Sequence, residues 1–117
     1  MAGITDSKFL NKVIPYGFDA VTLGGYSLDE KTIEASQKII ERGRKEFDFP
    51  LDMIFSHIGN EVASIKKVHP NVKVSANVRA TNPQPIIEAG NIKDLDIVEI
   101  NCHCRQDEIL AIGCGQN

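Results

Sequence analysis

Three cysteines and a histidine near the end of the 117-residue chain are the side chains best suited to chemistry. Cys102 and Cys104 flank His103, Arg105 follows, and Cys114 lies between two glycines. A thiol can donate a proton, attack as a nucleophile or bind a metal. We predict no metal site, because Cys-x-Cys lacks the usual spacing of two to four residues and no second pair follows. We expect Cys102 and Cys114 to be packing residues, which leaves Cys104 as the reactive candidate.

The elements around these cysteines indicate how they would be positioned. Residues 95–101 form a β-branched run that is typical of a strand, and residues 107–112 have a helical pattern. A polar loop between a strand and a helix is where α/β proteins place their chemistry. The sequence therefore predicts a site at the carboxyl end of this strand.

The rest of the chain alternates between strand and helix patterns. Predicted strands cover residues 18–23, 51–56, 72–78 and 95–101, and predicted helices cover residues 6–14, 29–47, 60–68, 83–89 and 107–112. Gly24 and Gly25 are interpreted as the turn that closes the first strand, and Ser27 with Glu30 as a capping box. Four strands that alternate with helices predict a parallel sheet, either open and doubly wound or part of a (βα)₈ barrel.

Composition bounds the class of protein. The hydrophobic fraction of 42% and the charged fraction of 25% are ordinary for a soluble globular domain. The net charge of −3 predicts no general nucleic-acid or membrane surface, although a local basic groove remains open. No apolar run approaches the roughly 20 residues that span a bilayer. An odd number of cysteines without a disulfide spacing predicts a cytoplasmic protein.

Three segments resemble motifs of the tRNA-dihydrouridine synthases, in the order in which that family has them. Residues 100–105 and 113–115, Ile-Asn-Cys-His-Cys-Arg and Gly-Cys-Gly, resemble the family's Ile-Asn-x-Gly-Cys-Pro and Gly-x-Gly segment. Residues 1–6, Met-Ala-Gly-Ile-Thr-Asp, resemble its Pro-Met-Ala-Gly-Val-Thr-Asp, and residues 77–83 fall at its Gln-x-x-Gly-Ser-Asp-Pro. The chain also resembles a shorter archaeal branch of TIM-barrel proteins related to these synthases.

The resemblance implies a fold and a chemistry. It implies that residues 1–117 are a single domain, the N-terminal half of a TIM barrel with about four βα units, whose open edges would favour self-association. It implies FMN as cofactor, NADPH as its reductant, and a tRNA uridine or a small pyrimidine-like substrate. Cys104 would protonate the substrate and Asn101 would orient it. Ala2 and Gly3 would lie against the flavin ring, and Asn77 would contact its edge.

Two features of this chain differ from the family pattern. His103 and Arg105 replace the glycine and proline beside the cysteine, and the cation favours a thiolate over a proton-donating thiol. Asn77 replaces a longer glutamine. The alternative interpretation is therefore a non-flavin barrel or half-barrel with a structural or binding role, in which Cys104 is inert.

Overall fold

A computed structural model describes residues 4–116 as an α/β domain. The helices are α1 (Ser7–Val13), α2 (Glu30–Glu41), α3 (Leu51–Val68), α4 (Gln84–Ala89) and α5 (Asp107–Ala111), with a 3-10 turn at Ile14–Tyr16. The strands are β1 (Ala20–Ser27), β2 (Lys73–Arg79) and β3 (Ile97–Ile100). They form one parallel sheet in the order β1-β2-β3, so all three carboxyl ends meet at one edge.

The prediction of four strands in a partial (βα)₈ barrel was wrong. The described residues form a three-stranded sheet, and residues 51–56, predicted as a strand, are the first part of helix α3. Four residues of this helix are buried at spacings of three or four, namely Ile54, Ile58, Val62 and Ile65. Leu51 and Met53 are exposed, as expected for the outer face of a helix. A short apolar run has no periodicity that distinguishes a strand from a buried helix. The apolar stripe from Ile54 to Ile65 is long enough to identify the helix.

Strand β1 also extends beyond its predicted end. Gly24 and Gly25, interpreted as a turn, lie within β1, where the register with β2 shifts at a bulge. A Cβ atom at Gly24 would lie 2.5 Å from the backbone oxygen of Asn77, so the two strands approach too closely for a larger residue. Ser27 is the last residue of the strand and does not cap α2.

Helix α2 is capped by Asp29 instead. The Asp29 carboxylate accepts a hydrogen bond of 3.0 Å from the backbone N–H of Thr32, and the Thr32 hydroxyl completes a capping box. The helix ends at Glu41, earlier than the predicted residue 47, because Gly43 adopts a left-handed φ of +94°. The helix predicted at residues 60–68 is the second half of α3, which begins nine residues earlier at Leu51, and the remaining predicted elements are confirmed to within a few residues at each end.

The hydrophobic core lies on one face of the sheet. Val74, Ala76 and Val78 of β2 are fully buried in one cluster with the apolar stripe of α3. A second, smaller cluster joins α2 and α5 through Ile39 and Ile109. Helix α5 is therefore fixed against α2, and the loop between β3 and α5 is held at both ends. No helix within residues 4–116 has the length and apolarity needed to cross a membrane.

Candidate functional site

A cavity of about 480 Å³ lies at the carboxyl edge of the sheet. Its walls include Gly25 in β1, Asn101 directly after β3, and Cys104 in the loop that leads to α5. Ile4 also lines it, because Thr5 exchanges two backbone hydrogen bonds with Gly24. Asn101 and Cys104, the two residues assigned to chemistry from the sequence, are thus brought together in one cavity.

Asn77 lies beneath this cavity and holds its wall in place. Its side chain is 1% exposed, and its Nδ2 donates a hydrogen bond of 2.5 Å to Oε1 of Glu99. Asn101 Nδ2 donates to Oδ1 of Asn77 at 3.5 Å, a long and weak bond. The carboxamide of Asn77 is therefore occupied on both sides by protein groups, and Asn77 positions Asn101. Ala2 and Gly3, the other residues assigned to the cofactor, lie outside the described residues.

Cys104 is held by the segment that follows α5. Gln116 N–H donates to the Cys104 carbonyl oxygen at 3.2 Å. Gly115 packs directly on the Cys104 backbone with a φ of +70°, and a Cβ there would collide with the Cys104 carbonyl oxygen. This close approach gives a structural reason for the Gly-Cys-Gly sequence. The backbone of Cys104 is therefore fixed, and its half-buried side chain lines the cavity.

The other two cysteines have different surroundings. Cys114 is buried, as predicted, with its Sγ 3.2 Å from the Ala80 carbonyl oxygen, and burial raises the pKa of its thiol. Cys102, predicted to face the core, is exposed instead, because the chain leaves the sheet at Asn101. All three cysteines are free. Within residues 4–116, no group of three or more His, Cys, Asp and Glu side chains is placed to hold a metal ion.

Three of the four cations that line this cavity were not identified from the sequence, namely Arg44, Lys45 and Arg79. Arg44 and Lys45, from the loop after α2, line it together with Arg79 at the end of β2 and Arg105 beside Cys104. Glu46 is the one carboxylate among the lining residues of the described chain. The sequence Arg-Gly-Arg-Lys at 42–45 is a local basic cluster that indicated such a region, but it is obscured by the acidic balance of the whole chain.

Aromatic side chains fix the loop that carries Arg44 and Lys45. Phe47 stacks on Tyr26 with a centroid distance of 5.1 Å, and Phe49 stacks on His57 at 3.9 Å. Burial raises the pKa of the fully buried Tyr26, which keeps its phenol neutral. Residues 44–46 are therefore held at the cavity without regular secondary structure.

The chain is similar to an archaeal protein along nearly its whole length. The chain is 46% identical over 122 aligned positions to the uncharacterized protein MJ0144 of Methanocaldococcus jannaschii. The alignment covers 99% of this chain and 45% of that protein, so the chain spans about half the length of its relative. No protein-family model matches the chain. No solved structure matches it either.

Proposed function

We propose that the chain belongs to a flavin-dependent oxidoreductase of the dihydrouridine-synthase type, which reduces a uracil-like base. The observation that supports this most is the convergence of Asn101 and Cys104 on one cavity. Its volume of about 480 Å³ is typical of sites for cofactors and small molecules. The position at the carboxyl edge of a parallel sheet is also typical of such sites.

The volume and the charge of the cavity support FMN as its ligand. Four cationic side chains line it and would neutralise the phosphate of the cofactor. Gly25 and Ile4 would supply small or apolar surface for a planar ring. FMN bound there would supply a hydride to the base and would be reduced again by NADPH.

The residues of this chain would supply the proton and the orientation. The Cys104 thiol would donate its proton to the carbon next to the one that receives the hydride, so that the double bond of the base is saturated. The resulting thiolate would regain a proton from solvent. The Asn101 carboxamide can both donate to and accept from the edge of a pyrimidine. Its amide nitrogen lies 3.5 Å from Oδ1 of Asn77, a weak contact that favours one orientation of the carboxamide.

The proposal also includes the cellular location, the substrate and the self-association of the protein. Three free cysteines support a cytoplasmic location, where thiols are kept reduced. The substrate is a tRNA uridine or a small pyrimidine-like molecule. Ile97 and Ile100 are exposed on β3, at the edge of the sheet, and support self-association through that strand.

Two cysteine variants test the chemistry. Cys104→Ala should retain FMN, detected by flavin absorbance, and lose NADPH-dependent formation of dihydrouracil in unmodified tRNA or a pyrimidine nucleotide. Cys102→Ala is the matched control, because it removes an exposed thiol two residues away, and it should retain both properties. Wild-type protein that fails to bind added FMN would contradict the proposal. Equal activity of the two variants would do so as well.

A second candidate is a non-flavin binding protein in which Cys104 is inert. The burial of Asn77 favours it, because a carboxamide that is 1% exposed and bonded on both sides has no free edge for a flavin. It predicts that Cys104→Ala leaves ligand binding unchanged, that the wild-type protein stays colourless with FMN, and that thiol reagents modify Cys104 slowly.

A further inference from the structure

The cavity concentrates positive charge in a chain that is acidic as a whole. Four of its 13 Lys and Arg residues line the cavity, but only one of its 16 Asp and Glu residues does. The rest of the chain therefore has nine cationic and fifteen acidic side chains. Within residues 4–116, Arg44, Lys45 and Arg105 form no ion pair. The neighbouring Arg42, in contrast, is paired with Glu108 at 2.8 Å. These three cations of the cavity are thus available to a ligand, whereas the fourth, Arg79, is paired with Glu46.

Arg79 is the most restrained of these cations. It is 6% exposed, and its Nε and Nη2 donate to Ser27, Ser36 and Glu46 at distances of 2.5 to 3.0 Å. A guanidinium group has five N–H donors. The bonds within the described chain use Nε and Nη2, so both N–H groups of Nη1 remain for a ligand. A fixed, poorly hydrated guanidinium is well suited to bind an oxyanion.

The surrounding charges favour a small ligand over a polymer. A binding surface for RNA needs cations along a groove several nucleotides long. Outside the cavity the chain has an excess of six carboxylates over Lys and Arg, which repels a polyanion. The volume of about 480 Å³ instead suits one nucleotide.

We propose that Arg44, Lys45, Arg79 and Arg105 bind the phosphate group of a mononucleotide whose base lies beside Asn101 and Cys104. Two ligands share this chemistry, namely FMN and a pyrimidine nucleotide that serves as substrate. The identification of FMN as the ligand rests on the proposed function, whereas the phosphate site is inferred from the cations of the cavity alone. Occupation of the site by the pyrimidine nucleotide would make the substrate a phosphorylated nucleotide in place of tRNA, whereas occupation by FMN would leave the substrate class open.

Matched pairs of ligands test this proposal by calorimetric or fluorescence titration of the chain. FMN is compared with riboflavin, and uridine monophosphate with uridine, because each pair differs only in its phosphate. We expect at least one phosphorylated ligand to bind about tenfold or more tightly than its partner, as charged hydrogen bonds predict. The advantage should fall as salt is raised.

Variants that remove single cations or pairs of cations test which residues bind the phosphate. Arg105→Ala and the double variant Arg44→Ala/Lys45→Ala should each lose most of the phosphate advantage, and circular dichroism would verify their folding. Lys67→Ala, at an exposed position near the end of α3, is the matched control and should bind as the wild type does. Arg105→Ala that retains the full advantage would overturn the proposal.

The two ligand pairs also separate this site from the flavin chemistry. A uridine monophosphate advantage without any FMN binding supports the phosphate site and contradicts the proposed oxidoreductase. Equal binding of FMN and riboflavin, with equal binding of the two uridine ligands, overturns the phosphate site and leaves the oxidoreductase standing.

Discussion

The two faces of strand β2 are equally buried and chemically opposite. Val74, Ala76 and Val78 are apolar and pack in the same core cluster as helix α3. Ser75, Asn77 and Arg79 alternate with them and are at most 6% exposed, yet they are polar or charged. Burying a polar group is costly unless it is hydrogen-bonded, and the side chains of Asn77 and Arg79 are hydrogen-bonded within the protein. The comparison indicates that one face holds the fold and the other positions the cavity.

The difference extends to the partners of the two faces. The apolar face is covered by a helix of 18 residues with a continuous stripe. Asn77 and Arg79 on the polar face are bonded to side chains from β1, α2, β3 and the loop after α2. A site assembled from four parts of the chain depends on all of them for its geometry.

The largest expected effect is the loss of stability when a buried side chain that packs in the apolar core is truncated. Ile58→Ala removes a fully buried side chain of α3 and should lower the free energy of unfolding by about 3 kcal/mol, within the usual range for such a cavity. Urea denaturation followed by circular dichroism measures it. Met53→Ala is the matched control on the same helix, because Met53 is 54% exposed and should change stability by about 0.5 kcal/mol or less.

A smaller loss is expected from the polar face. Arg79→Met keeps the length of the side chain but leaves the Glu46 carboxylate without its partner. We expect a loss of about 2 kcal/mol in urea denaturation, below the about 3–5 kcal/mol of a fully buried pair, because Glu46 is 18% exposed. The double variant Arg79→Met/Glu46→Gln should recover part of it. A double variant as unstable as the sum of the single ones would show that the pair is not coupled.

The smallest effect concerns the opposite end of the sheet, where Asp96 joins β3 to β2. A hydrogen bond from Lys66 and a second from the Val74 backbone N–H lower the pKa of Asp96 from 3.8 to about 2. A lowered pKa in the folded state means that this stabilisation is complete above about pH 4 and is lost as pH falls towards 2.

Asp96→Asn tests this contribution by acid denaturation. The variant should be less stable than the wild type at neutral pH, by about 1 kcal/mol or less since the pair is partly exposed, and the difference should shrink below pH 4. A difference that stays constant from pH 7 to pH 2 would contradict the assigned role.

The alternation of strands and helices was predicted from the sequence, and the prediction was wrong where a local pattern was ambiguous. Residues 95–101 and 107–112 were assigned correctly, because the β-branched run of the strand and the helical pattern that follows are separated by a polar loop. Residues 51–56 were misassigned because Met53, Ile54 and Phe55 are adjacent, which suits a buried strand as well as a helix. The helical stripe is apparent only when it is followed to Ile65.

The cavity itself depends on contacts that are distant in sequence. Asn101 and Cys104 are neighbours in the chain, so their association was predictable. Arg79 and Glu46 are 33 residues apart, and the pair forms only because the loop after α2 returns to the end of β2. The extension of β1 through Gly24 was hidden as well, because two glycines normally indicate a turn and only the folded chain shows the close approach to Asn77.

The central claim is that ligands bind at the carboxyl edge of the sheet and not on the α3 face. Two-dimensional NMR of the chain during titration with FMN tests it most directly, since each backbone amide reports its own surroundings. We predict that the amide signals of residues 44–46 and 101–106 shift and saturate, while those of residues 54–65 stay in place. Shifts confined to α3, or no shifts at all, would contradict the account.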